Sequence, residues 1–144
     1  MSDQSFNAFI DTSVVLRPLL NEPDPLTCWR DIGRGYVSRM LIVEVRRTID
    51  RYRLQKKITD DDVAFIHESF SELLETFHVV HLSDALLESA ASSMPTVVGT
   101  LDAIHLATAR ALRDQIDGEL LFATHDRQLS LAAKALQFRV VGVT

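Results

Sequence analysis

The sequence predicts an α/β fold, a parallel sheet with helices on both faces. Two observations point there. Short apolar runs of strand length alternate along the chain with helical stripes, the pattern that builds parallel sheets. Two of those runs, Phe9-Ile10 and Leu120–Thr124, lead almost directly into an aspartate and then a helix. In open parallel sheets, sites form beyond the carboxyl ends of the strands, so Asp11 and Asp126 are expected at one edge.

The elements follow in order. Residues 6–11 read as a short buried strand ending in Asp11. Asp11 or Thr12 then caps a helix running to about Leu20. Asn21-Glu22-Pro23-Asp24-Pro25 breaks the chain, and a short helix around Leu26–Ile32 follows. Gly33 and Gly35 bracket a turn before a short strand, Tyr36-Val37-Ser38. Residues 39–57 read as a long helix with Met40, Val43, Ile49, Tyr52 and Leu54 as its apolar positions. Thr59 followed by Asp60-Asp61-Asp62 is a helix start, because a threonine cap and first-turn acids suit the helix dipole. Consecutive helical residues point in different directions, so the three aspartates are not expected to share an ion. From Val63 to Phe77 the apolar spacing gives a core-facing stripe. Val79–Leu82 reads as a strand, and Ser83 starts a helix ending near Met94-Pro95. Leu101 to about Ile116 is a helix rich in small residues, and Asp117-Gly118 a turn. Leu120–Thr124 is a buried strand, Asp126–Leu136 a short helix and Phe138–Val141 the last strand.

A chain of 144 residues fits a single domain, taken as residues 1–144. No apolar stretch approaches the roughly 18–20 residues needed to cross a membrane, so no membrane partner is expected. Met1-Ser2-Asp3-Gln4 lacks the features of a signal peptide, and Cys28 is the only cysteine. These features favour a cytoplasmic protein in which Cys28 is a small buried hydrophobe. The net charge of −5 argues against nonspecific nucleic-acid binding by the whole chain, but the charge is uneven. Residues 28–57 carry nine Lys or Arg and three acids, a net +6; residues 58–126 carry two Arg and thirteen acids, a net −11. The basic segment is either a phosphate-binding stripe or a solvated helix face.

Four carboxylates interrupt apolar surroundings: Asp11, Glu44 in Met40–Val45, Asp102 in Leu101–Ala109, and Asp126. A buried, unpaired carboxylate is costly and needs a proton, a cation or a metal. Brought together, four such acids would repel one another unless a divalent ion held them, and an all-oxygen site suits Mg²⁺ or Mn²⁺. Read singly, Asp11, Asp102 and Asp126 are helix caps and Glu44 is a surface partner of Arg47 or Arg51.

Taken together, the segments resemble the PIN-domain family, most closely the VapC-type toxins of bacterial toxin–antitoxin pairs. Phe9-Ile10-Asp11-Thr12-Ser13-Val14-Val15-Leu16 is similar to the family's opening strand and first acid. Ser38, followed six residues later by Glu44, is similar to its second acidic segment. Leu101-Asp102-Ala103-Ile104-His105-Leu106-Ala107-Thr108-Ala109 resembles the third, and Ala123-Thr124-His125-Asp126-Arg127-Gln128-Leu129 the fourth. The resemblance spans Phe9 to Val141. It implies a three-layer α/β/α sandwich, an endoribonuclease dependent on Mg²⁺ or Mn²⁺, a cognate antitoxin that blocks the pocket, and a homodimer. It carries the metal-site acids over to Asp11, Glu44, Asp102 and Asp126. Asp11, Asp102 and Asp126 would hold the ion, and Glu44 would complete the pocket or accept from the attacking water. Ser13 and Thr124 would orient carboxylates or waters. Gln128 stands where some members carry another acid, which argues for fewer tightly held ions.

Arg46 and Arg47 follow Glu44 and are the basic residues expected nearest to RNA phosphates. His105, three residues after Asp102 on one helical face, reads as a structural histidine, or as one that holds a carboxylate or approaches the substrate, and His125 is ambiguous in the same way. Two rival functions remain. Phosphatases that form an aspartyl-phosphate also place an Asp after a strand, but they need a second Asp where this chain has Ser13. A non-catalytic PIN-like module that regulates by binding would keep the fold without the cleavage.

Overall fold

The structure, a computed structural model, describes residues 5–143. Five strands form one parallel sheet: β1 (Phe6–Ile10), β2 (Ile32–Ser38), β3 (Phe77–Val80), β4 (Leu120–Ala123) and β5 (Val140–Val141), in the order β3-β2-β1-β4-β5. The helices are α1 (Thr12–Leu19), α2 (Arg39–Leu54), α3 (Asp60–Glu75), α4 (Asp84–Ala90), α5 (Thr100–Arg113) and α6 (Arg127–Ala135). The α/β sandwich expected from the sequence is the fold observed.

Side chains of β1 alternate between two apolar layers. Ala8 and Ile10 pack with Val14 and Val15 of α1, Leu41, Val45 and Ile49 of α2, and Ile66 and Phe70 of α3. Phe9 points the other way, to Leu106 and Ala109 of α5 and Leu129 and Ala132 of α6. That alternation is the strand's two-residue period, and it puts helices on both faces. α4 closes the second face locally by setting Leu86 against Ile104 and Ala107.

Several boundaries differ from the sequence expectation, each for a packing reason. Gly33 and Gly35 lie inside β2 rather than in a turn. A Cβ on Gly35 would come within 2.9 Å of Ile10 Cδ1 and 3.0 Å of Phe77 Cδ1, so the strand needs glycine to pass between its neighbours. The expected helix at Leu26–Ile32 is only a 3-10 turn at Trp29–Asp31, where Trp29 meets Phe77 edge-on. The buried stripe of α2 is Leu41, Val45 and Ile49 at four-residue spacing, while Val43 and Leu54 are exposed. Phe77 opens β3 instead of ending α3, so that strand begins two residues before its expected start at Val79. Strand β5 is confined to Val140–Val141, with Phe138 before it packed in the core.

The caps follow the expected chemistry. Thr59 and Asp62 form a reciprocal capping box, with the Asp62 carboxylate accepting from the Thr59 amide at 2.8 Å. This engages one of the three consecutive aspartates in a helix start. Cys28 is half-buried against the core, and burial pushes its thiol pKa up. Among the described residues, no helix is long and apolar enough to cross a membrane.

The strand order reverses at β1. The chain leaves β1 for β2 on one side and returns to β4 on the other. A crevice therefore opens beyond the carboxyl ends of β1 and β4.

Candidate active site

Asp11 and Asp126 stand on the two lips of that crevice. Asp11 follows β1, is 5% exposed and caps α1, and its amide donates to the Ala123 carbonyl at the end of β4. Its Oδ2 accepts the Ser13 hydroxyl at 2.7 Å and the Thr124 hydroxyl at 2.9 Å. Both oriented donors use the same oxygen, which leaves Oδ1 for another partner. Thr124 joins the lips, because its hydroxyl also accepts from the Asp126 amide at 3.0 Å. Asp126 caps α6 through its Oδ1, which accepts from the Leu129 amide at 3.1 Å. The Ser13 hydroxyl in turn accepts from the His125 amide at 3.0 Å. Ser13 and Thr124 thus hold the first and fourth acids in register.

Glu44 and Asp102 reach the crevice from α2 and α5. Glu44 Oε1 accepts from the Thr12 hydroxyl at 3.0 Å and from His105 Nε2. It does not pair with Arg47 or Arg51; Arg47 bonds Asp50 at 3.1 Å instead. His105 is fully buried, with Nε2 also 3.9 Å from Asp11 Oδ1 and its Nδ1 without a partner among the described residues. Burial lowers the imidazole pKa, but the Glu44 hydrogen bond and the charges of Asp11, Glu44 and Asp102 outweigh it and leave it above the ordinary histidine value. Asp102 sits half-buried in the first turn of α5. Burial pushes its carboxyl up to about 6; Asp11, Asp126 and Glu44 add to the rise, and His105 opposes it. That shift is what burial beside other carboxylates produces.

Two contributors are hard to see in the sequence. Thr12 reads as a cap candidate, and in the fold its side chain turns instead to Glu44. His105 reads as a structural histidine or a holder of some carboxylate, and the fold makes that carboxylate Glu44. Its position three residues after Asp102 was the one available signal. Arg46 and Arg47 are both exposed on α2, Arg47 within its pair with Asp50. Gln128 donates to the Val97 carbonyl at 2.7 Å and so ties α6 to the loop before α5.

The far wall depends on the turn after β5. His125 Nδ1 donates to the Gly142 carbonyl at 2.8 Å. Gly142 has φ +105°, and a Cβ there would collide with the Thr124 carbonyl. Gly142→Ala should therefore unseat the Thr124–Asp126 segment and cost about 2–4 kcal/mol through clash and left-handed strain. A urea titration of the variant measures it; an unchanged midpoint would show that the turn yields freely.

The PIN domain family profile matches residues 8–135. The chain belongs to the PIN domain family. Members of this family are generally nucleases. Two solved structures share the fold. FitAcB from Neisseria gonorrhoeae is 21% identical, with a TM-score of 0.67 over 93% of this chain and 96% of that one. PAE2754 from Pyrobaculum aerophilum is 14% identical, with a TM-score of 0.59 over 90% and 85%. No curated protein matches the sequence. In this PIN domain the four acids, far apart in sequence, surround the crevice where the strand order reverses. Among the described residues, no three His, Cys, Asp or Glu side chains already meet at ion-holding distance. The donor set nonetheless fits a divalent cation that keeps part of its water: oxygen donors, an Asp11 Oδ1 that accepts no hydrogen bond among the described residues, and surplus negative charge around Asp102.

Proposed function

We propose that this PIN domain, a single unit over residues 1–144, is an endoribonuclease that depends on Mg²⁺ or Mn²⁺ and acts as the VapC-type toxin of a toxin–antitoxin pair. The observation that carries this reading is the gathering of Asp11, Glu44 and Asp126 around Asp102, whose carboxyl is pushed up to about 6 first by burial and then by these neighbouring acids. Asp11, Asp102 and Asp126 would hold the cation, which when bound lowers the pKa of water and offsets charge on a phosphate. Ser13 and Thr124 fix the direction of the Asp11 carboxylate by donating to Oδ2. Glu44, held by Thr12 and His105, supplies the acceptor that would orient the attacking water. Arg46 and Arg47 offer charge to RNA phosphates beyond the crevice.

A nuclease of this kind needs restraint, which supports a cognate antitoxin covering the crevice. The resemblance further supports a homodimer working in the cytoplasm. Incubating purified protein with total RNA, in Mg²⁺ or Mn²⁺ against EDTA, tests the reading; metal-dependent fragments are expected. The second reading, a non-catalytic binding module, draws on the spacing of the acids, which do not converge unaided. Intact RNA under every metal condition would favour it.

Thr124→Val keeps the shape of a buried residue but removes the hydroxyl shared by Asp11 and the Asp126 amide. Loss of such an orienting partner typically costs 10- to 100-fold in metal affinity or activity, so cleavage should fall by about that factor. A Mg²⁺ titration of the cleavage rate would reveal it, and a rate equal to wild type would remove Thr124 from the machinery.

A further inference from the structure

A cleft between α1 and α2 opens beside the acids. It has a volume of about 290 Å³, and Ser13 and Asp126 form the end shared with the active site. Its other polar walls are Arg17, Thr48, Arg51 and the Tyr52–Glu22 pair. Helix periodicity explains the arrangement. On α1, Arg17 lies one turn after Ser13. On α2, Thr48 and Arg51 lie one and two turns after Glu44, so these side chains line one face. Seven residues along α2 carry Arg51 about 10 Å beyond Glu44, a separation that a nucleotide or two can span.

The charges in this cleft are not used up internally. Arg47 and Arg53 on the same helix both pair with Asp50. Arg51 has no ion-pair partner among the described residues. Arg17 spends one nitrogen on the Asp24 carbonyl at 2.6 Å and keeps the rest of its fork. Glu22 is the acid within the far wall, and its Oε1 accepts from the Tyr52 hydroxyl at 3.1 Å. Past Arg17 and His125 the cleft continues into a second cavity of about 680 Å³ along Asp24–Thr27 and Gly142. A groove bearing two guanidinium groups thus leads away from an acidic centre. Such an arrangement suits a polyanion that has one phosphate at the acids and its neighbours on guanidinium groups.

We propose that this cleft is the subsite for the backbone phosphate adjoining the one cut, with Arg51 and Arg17 as its anchors. The inference rests on the nuclease reading for the identity of the chain bound, single-stranded RNA. These residues bind and position; they do no chemistry.

Fluorescence anisotropy with a labelled single-stranded RNA in EDTA reads the subsite without cleavage. Each phosphate contact in single strands contributes about −0.7 to the slope of log affinity against log salt. Arg51→Gln should weaken binding about tenfold and make the slope less steep by about that amount, with Arg17→Gln acting in the same direction. Arg139→Gln removes the same charge from the residue just before β5, at the opposite sheet edge, where Arg139 pairs with Glu119; it should leave both readings unchanged. In cleavage assays Arg51→Gln should raise KM with kcat nearly constant. Equal affinity and slope for Arg51→Gln and wild type, or an equal loss in Arg139→Gln, would overturn the proposal. If wild-type protein cuts no RNA but Arg51→Gln and Arg17→Gln lose binding while Arg139→Gln keeps it, the subsite stands and the nuclease reading fails. If wild-type protein cuts RNA while Arg51→Gln binds and cuts like it, the nuclease reading stands and the subsite fails.

Discussion

The Asp11→Asn protein should fold normally and cut RNA at about 100- to 1,000-fold lower rate, the loss expected when a preorganised electrostatic group is removed from a reacting centre. The amide keeps the shape of the carboxylate. Its oxygen can still accept from the Ser13 and Thr124 hydroxyls, and asparagine caps a helix as well as aspartate does. What disappears is the negative charge and the second oxygen, the one left free for a cation. A melting temperature within a few degrees of wild type, together with the lost rate, would separate chemistry from folding. Cleavage by the variant within a fewfold of wild type would sink the assignment of Asp11 to the reacting centre.

The Asp102→Asn protein should be more stable than wild type at neutral pH in EDTA and less responsive to metal. The sign follows from linkage. In the folded protein the Asp102 carboxyl titrates at about 6, above its ordinary value of 3.8. The folded state therefore binds the proton more tightly than the unfolded state does. Ionising Asp102 costs nothing below the ordinary value, costs progressively more as pH rises through the interval, and costs its full amount above about 6. Taken at face value the shift corresponds to about 3 kcal/mol, and partial exposure of the group screens that to about 1 kcal/mol. In a chain of this size that is about 3 °C of melting temperature at pH 7.5, fading to nothing near pH 4. Mn²⁺ should reverse the order by stabilising wild type through binding to the folded state. Apparent Mn²⁺ affinity should also fall as pH drops below 6, where the ion must displace a proton. Thermal melts across pH, with and without Mn²⁺, check both statements. Equal melting temperatures at every pH would show that neither burial nor its acidic neighbours raise the Asp102 carboxyl.

Both variants test residues legible in the sequence, and the reason they were legible is local. Asp11 and Asp126 each close an apolar strand and open a helix, so one pattern gives their place in the fold and their place at the site. Asp102 and Glu44 interrupt apolar segments that need no charge for packing. Relations between distant segments were less visible. Glu44 has arginines three and seven residues away, yet its partners are Thr12 and His105, 32 and 61 residues distant. No periodicity encodes that choice. On α2 the stripe was misplaced because Met40, Val43, Tyr52 and Leu54 are as apolar as the residues that face the sheet. The glycines of β2 look like turn residues until Ile10 and Phe77 are known to close on either side of Gly35. The strand at Phe77 could not be separated from the end of α3, because an aromatic residue serves either.

The hydrogen bond from Thr124 to Asp11 spans 113 residues of sequence, and so does the pairing of β1 with β4 on which it rests. Contacts of such high order are slow to form, because the intervening loop must close before any gain is felt. Helices α2 and α3 can collapse early on nearby partners. The two halves of the acidic crevice, by contrast, meet only when the centre of the sheet does. A partly folded molecule, whatever its helix content, has no assembled crevice. Lesions that slow the joining of β1 to β4 should therefore lower the fraction of competent molecules in a preparation while leaving the turnover of each competent molecule unchanged.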